Sequence, residues 1–170
     1  MDALVFDRFG GPEVLELRSL PDPAVPAHHV QLAMKAIGLN FADIYRRQGN
    51  YTLVGTPPYI AGYEGSGEVV AIGADVIGVK IGDRIGFADV PLANATRVNA
   101  PMDKAIPLPP GISHIQAAAI LLQGLTAQYL VQDSYTIRPG DKVLIHAAAG
   151  GVGQILVQLA KQRGAIVIAL

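Results

Sequence analysis

Residues 142–170 read KVLIHAAAGGVGQILVQLAKQRGAIVIAL, and this stretch decides the fold of the second half of the chain. Residues 142–148 form an apolar run of strand length. Val152, Ile155, Leu156, Leu159 and Ala160 then recur at helical spacing, with Gln158, Lys161 and Gln162 on the opposite face. Gly164 suits the left-handed position that closes a helix, and residues 165–170 read as a second, buried strand. Strand, Gly-rich turn, helix and strand in that order make the repeating unit of a parallel sheet.

Between the first strand and the helix lies Ala147-Ala148-Ala149-Gly150-Gly151-Val152-Gly153. This matches the dinucleotide-binding fingerprint, with Ala148 in the first glycine position. Glycine at 150 removes a Cβ from the path of a pyrophosphate, and glycine at 153 lets the helix pack closely on the strand. The amides of Gly151, Val152 and Gly153 stand at the helix N-terminus, where unpaired N–H groups and the helix dipole favour phosphate. Gln154 completes the expected cofactor-binding set on this turn. His146 reads as a residue packed at the strand end rather than a catalyst. The acid that would select NAD, or the base that would select NADP, is expected beyond residue 170, so the chain is expected to hold only the opening of this domain.

Working back towards the N-terminus, residues 115–132 carry mostly Ala, Leu and Gln and predict helix, with Gly124 expected to break it into two pieces. Ser113 and Gln116 have the spacing of a capping box. Pro107-Leu-Pro-Pro-Gly111 is a stiff boundary segment, because proline neither continues a helix nor pairs in a central strand. The expected division is therefore a first domain over residues 1–112 and a second over residues 113–170. Within the first, short apolar alternations at residues 14–18, 30–36 and 68–72 are each bounded by Gly or Pro, and turns at Gly73, Gly78 and Gly82 separate them. This pattern predicts a mainly β domain, rolled or barrel-like.

Composition narrows the functions available. The chain of 170 residues is 51% apolar and 16% charged, with a net charge of −1, as a folded globular protein requires. Its basic residues are scattered singly, which argues against nucleic acid as a primary partner. Cysteine is absent, so disulfides, thiolate nucleophiles and sulfur-ligated zinc are excluded. The first residues carry neither a basic leader nor an apolar run, and the long uncharged stretches are interrupted by Pro, Gly, Gln or His. A cytoplasmic protein without a membrane span is expected.

The segments Gly10-Gly-Pro-Glu-Val-Leu15, Ala36-Ile-Gly-Leu-Asn-Phe-Ala-Asp43, Gly62-Tyr-Glu-Gly-Ser-Gly67, Gly82-Asp-Arg84, Gly124-Leu-Thr126 and His146-Ala-Ala-Ala-Gly-Gly-Val-Gly153 together span nearly the whole chain. In this order they resemble the medium-chain dehydrogenase/reductase superfamily and, within it, the zinc-free quinone oxidoreductase (zeta-crystallin-like) branch. The resemblance implies a GroES-like catalytic domain followed by a Rossmann domain that is incomplete here. Zinc-dependent alcohol dehydrogenases of the superfamily place a cysteine where this chain has Asn40 and a histidine where it has Tyr63. A catalytic zinc site needs three protein ligands around an open position, so no metal is expected.

What the resemblance further implies is hydride transfer from NADPH to an already electrophilic acceptor, a quinone or conjugated enone. NADP is preferred over NAD in that reading. Asn40, Tyr45 and Tyr51 are the implied catalytic residues, with the Asn40 amide and Tyr45 hydroxyl positioned to hydrogen-bond a carbonyl and Tyr51 closing the pocket. Phe41, Ala42, Asp43, Ile44 and Tyr45 form the implied strip against the nicotinamide, and Thr126 and Tyr129 resemble cofactor-contacting residues. Read without the family, Tyr45 and Tyr51 are half-buried barrel residues, and Asp43 and Glu64 hold loops rather than move protons. Many relatives have lysine where this chain has Gln123, and a Gly-Ala-Tyr-like stretch where it has Pro91-Leu-Ala-Asn-Ala95. Two alternatives stay open, an enoyl-thioester reductase and a non-catalytic nucleotide-binding structural protein. The family form implies a homodimer, and these 170 residues alone are expected to be inactive.

Overall fold

The computed structural model describes residues 1–170 and divides into two compact units, Met1–Ala119 and Ile120–Leu170. The first unit is built on two antiparallel sheets. Strands β1 (Asp2–Phe6), β2 (Glu16–Ser19), β3 (His29–Ile37), β4 (Tyr59–Ile60), β5 (Glu64–Ile72), β6 (Arg84–Ala88), β7 (Arg97–Pro101) and β8 (Ile106–Pro107) supply them. The smaller sheet has the order β2-β1-β4 and the larger β7-β3-β5-β6-β8, all antiparallel. The mainly β expectation for the first part of the chain is met, and the turns at Gly78 and Gly82 adopt φ of +81° and +88°, open to glycine at little cost.

The core of this unit collects Val5 from β1, Val30 and Leu32 from β3, Val69 from β5, Ile85 and Phe87 from β6 and Val98 from β7, all buried. Alternation on β3 is imperfect. Register shifts between Gln31 and Leu32 and between Met34 and Ala36 mark bulges, so the apolar alternation expected over residues 30–36 is not continuous. Gln31 is buried as well, and its Nε2 donates to the carbonyl of Pro23 at 2.8 Å and to Asn99 Oδ1 at 3.2 Å. Residues 14–18 are likewise not one strand, because Val14 ends a 3₁₀ turn (Pro12–Val14) before β2 begins.

Helix α1 (Phe41–Arg47) follows β3 directly, and α2 (His114–Tyr129) follows the proline segment. The capping box at the start of α2 forms as expected: Ser113 N–H donates to Gln116 Oε1 at 2.8 Å, and Gln116 N–H donates to Ser113 Oγ at 3.2 Å. Gly124 does not break the helix. A Cβ there would meet only Ile120 Cγ1, at 3.6 Å, so the glycine costs propensity but nothing forces a kink. The irregularity falls later, in a π turn at Leu130–Ser134.

In the second unit β9 (Lys142–Ile145), α3 (Gly151–Gln162) and β10 (Ile166–Ala169) form a parallel crossover, pairing Ile166 with Lys142 through Ala169 with Ile145. Gly164, at φ +80°, closes α3 in a Schellman arrangement, with Gly164 N–H donating to Lys161 O and Ala165 N–H to Ala160 O. Val131, Ile137 and Ala160 make a small core here. The expectation of a buried strand at residues 165–170 is not met. Val167 packs with α3 residues against the small core, whereas Ile166 and Ile168, which alternate with it along β10, and Leu170 are exposed. His146 is also exposed rather than packed.

Candidate functional site

In the second unit the Gly-rich turn leads from β9 straight into α3. Gly150 caps α3 with φ −74° and ψ 169°, and Ala147 before it adopts φ 52°. Gly151, Val152 and Gly153 are the first helical residues, and their N–H groups have no carbonyl a turn back within the helix. A Cβ at Gly153 would overlap the Ala147 carbonyl oxygen and the Ala148 backbone, so only glycine lets α3 start this close to β9. A Cβ at Gly151 would instead meet the end of the Gln123 side chain. The Gln154 N–H already donates to the Gly150 carbonyl at 2.9 Å, and its Nε2 folds back onto the Ala149 carbonyl at 2.6 Å. Thr126 and Tyr129 lie on α2. Both are exposed, and the Thr126 hydroxyl donates to the Leu122 carbonyl at 2.7 Å.

In the first unit the segment from Asn40 to Tyr45 is the start of a helix. Asn40 is the N-cap of α1 and Asp43 stands at N3. The Asn40 N–H donates to Asp43 Oδ2 at 2.9 Å, one half of a capping box. Helical spacing then sorts the expected residues onto different faces. Phe41 and Tyr45, a turn apart, bring their ring centroids to 6.4 Å, and Tyr51 meets Tyr45 edge-on at 5.6 Å. All three rings are substantially exposed. Asp43 and Ile44 face a different, apolar pocket shared with Leu4, Leu15, Leu39 and Ala61, while Ala42 is half-buried.

Asn40 is held by a contact that the sequence did not show. Its Nδ2 donates to Glu64 Oε2 at 2.9 Å, and Glu64, at the head of β5, has no exposed surface. Gly38 makes room for that carboxylate, since a Cβ there would overlap Glu64 Oε2 and the Ala118 carbonyl. Burial pushes the Asp43 carboxyl above the usual carboxylate value, opposed by the hydrogen bond from the Asn40 N–H and by Arg46. Tyr63, the other position where zinc-dependent relatives carry a ligand, is buried with the Arg46 guanidinium over its ring. No three His, Cys, Asp or Glu side chains gather as a metal ion would need.

Nearby, Ser66 and His114 form a second polar pair. Ser66 Oγ lies 2.7 Å from His114 Nδ1 and donates to the Ile85 carbonyl at 2.9 Å. With no exposed surface, Ser66 acts as a tie between β5, β6 and the start of α2 rather than as a nucleophile. Burial lowers the His114 pKa below the ordinary histidine value, with Arg84 and Lys35 adding to the effect and Glu68 opposing it. Neither pair was legible from sequence spacing, because each joins elements far apart along the chain.

A mainly β unit with the Asn40–Glu64 pair is thus followed by a parallel crossover whose turn admits only glycine at 153. Residues 26–142 match the family of the alcohol dehydrogenase GroES-like domain. The chain is 46% identical over 161 residues to a quinone oxidoreductase of Pseudomonas aeruginosa, covering 94% of this chain and 49% of that protein. It matches the crystal structure of Escherichia coli quinone oxidoreductase complexed with NADPH at 43% identity and a TM-score of 0.94, covering 99% of this chain and 52% of that one. It also matches a quinone oxidoreductase structure from Pseudomonas syringae at 41% identity and a TM-score of 0.95, again covering 99% of this chain and 52% of that one. The chain belongs to the medium-chain dehydrogenase/reductase superfamily, in its quinone oxidoreductase branch. It spans about half the length of the curated relatives it matches.

Proposed function

We propose that the intact protein is a cytoplasmic, zinc-independent, NADPH-dependent reductase, a homodimer in the manner of its family, which transfers hydride to a quinone or conjugated enone. The observation that carries this reading is Asn40. At a position where zinc-dependent relatives have a metal-binding cysteine, this chain has an amide capped into α1 and hydrogen-bonded to the buried Glu64. Tyr63 at the second ligand position supplies no metal-binding donor of the usual kind, and its ring is covered by Arg46.

The Gly150 turn fits the cofactor. Gly151, Val152 and Gly153 would hold its phosphates through their amides, and the glycine at 153 leaves the backbone close enough to the strand for that approach. The NADPH-bound relative supports the choice of NADPH. When bound, the reduced nicotinamide supplies the hydride.

The chain's own residues then position and shield. Asp43 fixes the Asn40 backbone and Glu64 fixes the Asn40 side chain, so the amide is presented in one orientation. The Tyr45 and Tyr51 rings, edge-on to each other, offer an exposed aromatic surface on which a flat acceptor stacks while their hydroxyls donate to its carbonyl. An already electrophilic acceptor needs orientation and dryness more than a Lewis acid, which suits a site built from amide and phenol groups. Following NADPH oxidation by the intact protein across quinones and alkenals tests the proposal. Turnover of at least one class is expected, and cofactor binding with no turnover of any acceptor would overturn it.

A further inference from the structure

Arg46 lies near the end of α1, and its guanidinium carbon is 3.4 Å from the Tyr63 ring centroid and 5.9 Å from that of Tyr51. Contact with the Tyr63 ring, whose negative face attracts a cation, sets the guanidinium in one place. Its Nη1 is 3.6 Å from Asp43 Oδ1, too far for a hydrogen bond, and its Nε is buried without a partner. A guanidinium carries five N–H donors in a planar fork suited to carboxylates, and here 19% of the side chain stays exposed beside its Asp43 and Tyr63 contacts. Asp43 is the one carboxylate within ion-pair distance, and the next residue, Arg47, is a second buried cation. Beside this charge stand the exposed rings of Tyr51 and Tyr45.

A partly exposed planar cation next to an open aromatic surface has a definite complement, a flat ring system that ends in a carboxylate. We propose that Arg46 is the anion-recognition residue of the acceptor site, and that the favoured acceptors are planar quinones or enones bearing a carboxylate. This rests on the reading of Tyr45 and Tyr51 as acceptor-binding residues. The ring packs on the tyrosines and the carboxylate takes the guanidinium fork, exchanging water for a charge-assisted pair.

Calorimetric titration of the intact protein with anthraquinone-2-carboxylate and with 2-(hydroxymethyl)anthraquinone tests the proposal, since the two share a ring system and differ in charge. The carboxylate is expected to bind about tenfold more tightly at low salt, an advantage of about 1.4 kcal/mol. Arg46→Met abolishes that advantage, Arg46→Lys keeps part of it, and rising ionic strength erodes it in the unaltered protein. Equal affinities in the unaltered protein, or a preference that survives Arg46→Met, would overturn the assignment. Should Arg46→Met fail to fold, the salt series on the unaltered protein decides, and a salt-independent preference counts against Arg46. Carboxylate binding through Arg46 without NADPH-driven turnover of any quinone would refute the reductase reading and leave the anion site standing. Quinone turnover without a carboxylate preference would do the reverse.

Discussion

Asn40 Nδ2 and Glu64 Oε2 are joined by a hydrogen bond of 2.9 Å that links the cap of α1 to the first residue of β5. A carboxyl group with no exposed surface depends on such partners, because leaving a buried polar group short of a hydrogen bond costs about 1–3 kcal/mol. Glu64→Leu is therefore expected to lower stability more than Glu64→Gln, whose carbonyl oxygen still accepts from Asn40. Urea denaturation of the variants reads this order. Equal losses would show that the carboxylate fills space and nothing more.

The Gly-rich turn before α3 makes a contrast between neighbouring glycines. Gly153→Ala drives a Cβ into the backbone of Ala147 and Ala148, which cannot yield without moving α3 away from β9. Gly151→Ala meets the far end of Gln123, a side chain that can shift. Titration with NADPH is expected to show at least a tenfold weaker affinity for Gly153→Ala, about 1.4 kcal/mol or more, and a much smaller change for Gly151→Ala. The opposite order would mean that the turn does not cradle phosphates in this form.

How far the sequence reached follows from how far apart the interacting residues lie. The crossover of β9, α3 and β10 was legible because its signals are local: helical spacing from Val152 to Ala160, glycine at 164, and strand-length runs on either side. The Ser113–Gln116 cap was legible for the same reason. Gly124 misled because propensity is a small term that a well-seated helix overrides. The Asn40–Glu64 and Ser66–His114 pairs were not legible, since sheet register and a helix start bring together residues 24 and 48 positions apart. The face-sorting of the residues from Phe41 to Tyr45 became visible only once that segment proved helical.

Acid should weaken the tie at the start of α2. His114 titrates below the ordinary histidine value of 6.5, chiefly because burial disfavours its charged form and Arg84 repels it. Between the folded and the ordinary value the unfolded chain binds more protons, so the contribution to stability is complete above about 6.5 and is lost as pH falls through the folded value. His114→Gln, which keeps a hydrogen-bonding group facing Ser66, is expected to flatten the fall of Tm with decreasing pH in that window. An unchanged slope would place the acid sensitivity elsewhere.

Zinc-independent reduction is the claim on which the functional account stands. Its most direct measurement is NADPH oxidation with a neutral naphthoquinone by the intact protein, before and after exhaustive dialysis against a strong chelator. The account predicts turnover at the same rate in both samples, with added zinc giving no increase. Activity that disappears on chelation and returns with zinc would contradict it.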